Sequence, residues 1–386
     1  MQISIDPKIL KKRKGKDKRF MVYAYTAIMC AGAFLVFFFG NIVYTAWNAF
    51  EQTEVRVAVN YSERAMNIGK RAIERDQAFM VSRGYTRLIP IEMEANPALL
   101  GTTESKWVLA HADVDQYVKG KPNRLKPKEK EMVDRLKAEG NIRLVFNKGF
   151  FLNGDSKLPE MAGIWSAAVG SMYVLVVTLA FSFPLGVATA IYLEEFAPDN
   201  RLMQIVEVNI NNLAAIPSIL FGLLGLAIFI NFLGVPRSSA LVGGLTLSLM
   251  TLPVIIISTR AAIMAIPDSI REGALALGAT HWQMVTTNVL PLAFPGILTG
   301  TIIGLARAIG ETAPLMIVGM MAYIPQAPDG FLQAATVLPA QIYTWSADSL
   351  RAFTERTSAA IIVLLGVMLV MNGAAIYLRN KYETKW

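Results

Sequence analysis

Residues 307–314 read RAIGETAP and set an arginine and a glutamate four positions apart, inside a run of apolar and small residues at roughly 293–323. On a helix, side chains at i and i+4 are neighbours. A charge at the centre of a bilayer costs about 2.5–3.5 kcal/mol on insertion scales, so an ionisable residue there is functional by default. Arg307 suits an oxyanion, because its planar fork donates two parallel hydrogen bonds and keeps its proton at any working pH. Glu311 has several open readings. It neutralises Arg307 when no anion is present, or it keeps anion binding weak enough for release. Protonated, it donates a hydrogen bond to the anion. A plain structural ion pair that fixes helix packing also stays open.

The neighbouring residues say which way the pair should face. At about 100° per residue, Gly296, Gly300, Gly304 and Ala308 drift slowly around one side of a helix. Such a small-xxx-small ridge lets two membrane helices approach closely. Arg307 and Glu311 fall in the same arc of about 120°, so both charges are expected to face protein rather than lipid. Arg260, near the end of the preceding apolar block, reads either as a snorkelling arginine that marks the cytoplasmic side or as part of the same path.

Other reactive side chains carry less. His111 beside Asp113 reads as solvated surface rather than an acid–base pair. Cys30 is the single cysteine and the two histidines lie far apart, so neither a disulfide framework nor a histidine-based metal site is expected. No G-x-x-x-x-G-K-[ST] occurs, so no loop is built to cradle ATP phosphates. No catalytic residue, metal or cofactor is expected in this chain.

The elements that must hold these residues are membrane spans. The 386 residues are 54% hydrophobic and 17% charged, with mean hydropathy +0.42; soluble chains run nearer about 25% charged. Six apolar blocks reach the roughly 20 residues needed to cross a bilayer, at about 21–46, 165–193, 205–233, 239–265, 292–322 and 358–378. The first is too long for a secretory signal core and lacks a clear cleavage site, so it reads as an uncleaved helix. The net charge is +8, with much of the excess in the N-terminal run KILKKRKGKDKR. That run ends directly at a span, which argues against nucleic acid as its partner. Basic flanks stay in the cytoplasm, and six crossings return the basic end RNKYETKW to the same side. Residues 1–20 are then a basic cytoplasmic tail, 21–46 the first span, 47–162 an extracytoplasmic insert, 163–380 a five-helix core and 381–386 a cytoplasmic tail.

The insert mixes helix-like stretches (SERAMNIGKRAIERDQAFM, KPKEKEMVDRLKAEG) with strand-like ones (SKWVLAHA, NIRLVFN), as a small α+β domain would. In the third block Pro217 can kink the helix, and Asn209, Asn211 and Asn212 read either as lining a polar path or as packing. The most informative loop, 259–291, is expected in the cytoplasm. It reads TRAAIMAIPDSIREGALALGATHWQMVTTNVLP. Pro267 closes one helix, Asp268 or Ser269 can cap the next, and Gly278 can take a positive φ. A short helix, a glycine turn and a second short helix fit over 266–291.

The spacing Glu272-Gly273-Ala274, three residues, Gly278, nine residues, Asn288-Val289-Leu290-Pro291 resembles the EAA loop of permease subunits in bacterial ABC importers. Gly273 replaces the usual alanine, and Asn288 stands where an aliphatic residue is common. NLAAIPSILFGLLGLAIF (212–229) and GILTGTIIGLARAIGETAPL (296–315) look like the PstA-type phosphate permeases. The likeness runs from about residue 163 to the C-terminus and more weakly over the first span. The insert resembles the N-terminal extension of longer members.

The resemblance implies an all-α polytopic membrane protein with six transmembrane helices of the type I ABC importer kind, plus the α+β insert. It implies a permease subunit, not an enzyme, that moves phosphate across the bacterial inner membrane by alternating access. Arg307 and Glu311 would lie on the phosphate path, while Glu272, Gly273, Ala274 and Gly278 would couple to the ATPase. It further implies a PstC-type second permease subunit, two PstB-type ATPases carrying ATP and Mg, and a PstS-type periplasmic binding protein. Rival readings are a permease for sulfate, molybdate or phosphonate, a proton-coupled secondary transporter, and a membrane receptor that senses through its insert.

Overall fold

The computed structural model describes residues 7–382, so the outermost parts of both expected tails, 1–6 and 383–386, lie outside the described residues. The first helix, α1 (Pro7–Trp47), is longer than the expected 21–46. Lysine and arginine are good helix formers, and the basic run continues the ladder of the apolar stretch behind it.

The insert follows. Its sheet is built from β1 (Glu51–Asn60), and later from β2 and β3. Between β1 and β2 runs α2 (Arg83–Ala95). Then come β2 (Thr103–Leu109), α3 (Ala112–Val118), α4 (Pro127–Ala138) and β3 (Ile142–Phe146). The order is β2-β1-β3, antiparallel throughout, with Val55 opposite Val108 on one side and Glu54 opposite Arg143 on the other. Alternation does the work: Val55, Val57 and Val59 point into a core with Tyr61, Ile89, Met93, Val114 and Val133, while Arg56 and Ala58 point out. The expected strands and the α4 helix are present. The expected helix over 62–80 is not: only Glu63–Asn67 is α-helical there, followed by a 3-10 turn at Gly69–Ala72.

The core begins with α5 (Trp165–Ile191), which runs on through a π turn to Phe196. The third apolar block is not a straight span. It is α6 (Arg201–Ala214) and α7 (Ser218–Gly225, continued through a π segment to Phe232), joined at Pro217 with a bend of 104°. Next come α8 (Ala240–Met264), the loop helix α9 (Asp268–Ala276), α10 (Leu290–Gly310) and the short α11 (Ala313–Ile317). α12 (Leu338–Ser346) and α13 (Ala352–Tyr382) complete the chain. Among the described residues, five helices are long and apolar enough to cross a membrane, and the bent pair makes a sixth crossing if it counts as one.

Packing fixes the directions. Gly244 lies against Val177 and Gly186 against Ile255, so α5 and α8 run parallel. Parallel neighbours require the chain between them to return across the layer, and α6 with α7 is that chain. Gly296 faces Ala262, Gly300 faces Ser258 and Gly304 faces Thr251, so α10 runs antiparallel to α8. α1 and α13 lie together, joined at the insert side by a cluster of Ala46, Ala49, Phe150, Trp345 and Phe353.

Candidate functional site

α10 stops at Gly310 for a backbone reason. A further turn would need residue 314 to donate to the Gly310 carbonyl, and Pro314 has no N–H. Glu311 is therefore not helical (φ −77, ψ 123) and lies at the break before α11. This differs from the continuous helix expected over 292–322. The ion pair itself forms: Arg307 Nε stands 3.6 Å from Glu311 Oε1. At that separation it is electrostatic contact rather than a hydrogen bond. The Arg307 side chain is 48% exposed and that of Glu311 21%. Both charges are expected to face protein rather than lipid; within this chain Glu311 is largely covered and Arg307 is half open. Arg307 sits on the last turn of α10, where the helix dipole favours a cation, with about half of its side chain open.

The broken third crossing meets this break. Gly222 of α7 rests on Pro314 and Ile317 of α11, and an added Cβ would come 2.7 Å from the Pro314 Cα. Two interrupted helices are therefore packed against each other beside the charged pair. Asn209, Asn211 and Asn212 are exposed on α6, which buries none of its side chains within this chain.

The ridge of Gly296, Gly300 and Gly304 is packed against α8. A Cβ on Gly300 would overlap the Ser258 side chain, and one on Gly296 would meet the Ala262 Cβ at 2.6 Å.

Arg260 is not free. Its Nε donates to Glu194 Oε2 at 3.1 Å and its Nη2 to Glu207 Oε1 at 2.9 Å, tying α8 to the end of α5 and to α6. Two carboxylates thus hold this guanidinium, one on Nε and one on Nη2.

At the other end of the bundle, α9 starts at Asp268 with Pro267 as its N-cap residue, and the Asp268 carboxylate accepts from Arg271 at 3.2 Å. Ala274 is buried, while Glu272, Gly273 and Gly278 are exposed. Gly278 has φ +88, the left-handed turn that only glycine enters freely. Thr280 then caps the next helix in a reciprocal box with Gln283. Apolar side chains stand out from this loop: Leu277 is 91% exposed, with Leu275 and Trp282 beside it in sequence also open.

Sequence reasoning missed what holds the loop in place. Arg271 donates twice to Glu195 Oε1 (3.2 and 3.0 Å), and to the carbonyls of Ile266 (2.7 Å) and Ile263 (3.0 Å). The His281 Nε2 lies 2.7 Å from the Glu195 carbonyl, and the Phe196 ring packs on His281 and Trp282. The adjacent Glu194 and Glu195 thus hold one arginine each. The paired glutamates were visible in the sequence, but their partners lie 66 and 76 residues away.

Fold and site together define a polytopic helical membrane protein with a broken-helix charged pair near one side and an exposed, anchored loop on the other. The family model described as "Binding-protein-dependent transport system inner membrane component" matches residues 182–383. The chain belongs to that family, as a multi-pass inner-membrane transport component of the PstA type. A second model, a domain of unknown function (DUF3333), matches 7–89 and 63–128. Among curated relatives, the phosphate transport system permease protein PstA 1 of Mycobacterium tuberculosis (strain CDC 1551 / Oshkosh) is 33% identical over 225 residues, 58% of this chain and 73% of its own. The probable ABC transporter permease protein YqgI of Bacillus subtilis (strain 168) is 34% identical over 168 residues, 43% of this chain and 56% of its own. With YqgH of the same organism at 55%, the chain spans just over half the length of these two Bacillus relatives. Among solved structures, the inward-facing MetNI methionine ABC transporter is 21% identical, covers 57% of this chain and 98% of its own, and has a TM-score of 0.44.

Proposed function

We propose that this chain is the permease subunit of an ATP-driven importer that carries inorganic phosphate into the cell. The observation that carries the reading is Arg307: a guanidinium at a helix break, held by one 3.6 Å ion pair and otherwise open. Such a group can exchange its carboxylate for a substrate oxyanion without leaving a buried charge unpaired. Glu311 then keeps the site neutral between cargoes. The loop with Glu272, Gly273, Ala274 and Gly278 supplies the second half of the reading. Its open backbone at Gly273 and its exposed Leu277 suit docking in a groove of a separate ATPase subunit, which would bring the ATP and Mg.

The subunit would work in an assembly of a PstC-type second permease, two PstB-type ATPases and a PstS-type binding protein. Both termini and the 266–291 loop would face the cytoplasm, with the insert outside, as the basic flanks require. ATP binding would draw the ATPases together, and α9 would pass that motion to α5 and α8 through Glu194 and Glu195. The PstA-named relatives favour phosphate over other oxyanions.

The test is Arg307→Gln in cells whose phosphate uptake depends on this system. Uptake should fall to background while the variant still co-purifies with its partners. Normal uptake would remove Arg307 from the path, and uptake equally inhibited by sulfate would reassign the cargo to oxyanions in general.

A further inference from the structure

The face where the insert meets the start of α13 holds a cavity of about 470 Å³, within the range of small-molecule sites. Its wall draws on both bodies: Arg83, at the start of α2, and Arg124 come from the insert, and Arg351 from the turn leading into α13. Asp113 and Glu160 also line it, yet neither pairs with these arginines. Asp113 spends one oxygen on the Arg124 backbone N–H (3.2 Å) and sets the other 3.7 Å from His111 Nδ1. Glu160 Oε1 accepts from the Ser82 hydroxyl at 2.8 Å, and its Oε2 is buried with no hydrogen-bond partner among the described residues. Three exposed arginines therefore line one concavity, and among the described residues none of them forms an ion pair. A second cleft of about 430 Å³ shares Arg83, Arg124 and Asp113 and adds Lys70, Lys126 and Glu129.

Like charges gathered around a cavity repel one another, and an anion seated among them removes that repulsion. The arginine fork matches the two oxygens of a phosphate group. We propose that this cleft binds a soluble phosphate group, either inorganic phosphate or a phosphate monoester. The bound anion would bridge the insert to the last transmembrane helix. The site is distinct from Arg307 and does not depend on the transport reading.

Isothermal titration of the purified full-length chain in detergent tests it, with inorganic phosphate and glycerol phosphate as probes and chloride at matched ionic strength as the reference. Arg307→Gln is used as the background, so that any binding measured there belongs elsewhere. Binding of either probe in that background is expected. Adding Arg83→Gln and Arg351→Gln should weaken it about tenfold or more, since each charge-assisted bond is worth at least one order of magnitude. If the double change impairs folding, Arg351→Gln alone, in the turn outside the insert core, should still weaken binding severalfold. Absence of binding in the Arg307→Gln background, or affinity unchanged by the cleft substitutions, overturns the proposal. Loss of uptake in Arg307→Gln together with no cleft binding would leave the transport reading standing and this one fallen.

Discussion

Asp155 illustrates how much one buried side chain decides. It lies where the insert returns to the bundle, and its Oδ1 accepts from the Trp345 indole N–H at 2.9 Å. Burial raises its pKa, and the bonds from Trp345 and the Ser156 backbone pull it back only in part. A carboxyl whose folded pKa lies above its unfolded value binds more protons in the native state, so stability falls as pH rises through that interval. Asp155→Asn keeps the acceptor and removes the charge. It should melt no lower than wild type and lose the decline that sets in as pH rises through the ordinary carboxylate range toward the raised pKa. Asp155→Ala orphans the indole and should cost about 1–3 kcal/mol, read as a lower melting temperature at every pH. At this scale the sequence was partly legible. Arg307 and Glu311 stood out because charge is rare in apolar runs, and Pro314, which separates them into helix and non-helix, was in plain view. Asp155 carried no such signal, because a carboxylate in a polar stretch looks the same whether or not a tryptophan 190 residues away covers it.

At the scale of elements, spacing spoke most clearly. The ridge of Gly296, Gly300 and Gly304 was readable from its period of four, and α10 does set that ridge on α8. Gly300→Ala puts a methyl onto the Ser258 side chain and should destabilise by roughly 1–3 kcal/mol, seen as earlier thermal unfolding in detergent. Ser258→Gly in the same chain removes the atoms that obstruct it and should recover most of the loss; a failure to recover would mean the two helices do not meet there. The bent third crossing was harder to read. Proline at 217 signalled a kink but not its size, because a bend of 104° is set by what α7 packs upon, namely α11 at Pro314. In the insert, alternation over Glu51–Asn60 was available and overlooked, while the segment 62–80 sends Ala65, Ala72, Ile73 and Met80 into the core from a broken path rather than from one helix.

For the whole molecule, the question is what makes insert and bundle one object. Lys119, almost fully enclosed, reaches Asp115 Oδ2 at 2.7 Å, the Glu51 carbonyl at 2.8 Å and Glu355 of α13 at 3.7 Å. Asp115 in turn accepts from the backbone and hydroxyl of Thr53, and Arg356 reaches the Ala49 carbonyl. Removing one member of a buried ionic set strands the others, a loss of about 3–5 kcal/mol. Lys119→Met should therefore loosen the insert from α13, measured as faster protease cleavage between 47 and 162 while the transmembrane core stays intact. None of this union was legible, since its halves are more than 200 residues apart and each reads as ordinary surface charge.

The neighbouring carboxylates at the end of α5 carry one last consequence. Glu194 ties the end of α5 to α8 through Arg260, while Glu195 ties it to the start of α9 through Arg271. In the proposed importer, a push at Leu277 would then reach α5 and α8 together, with the turn that carries Glu194 and Glu195 as its fulcrum.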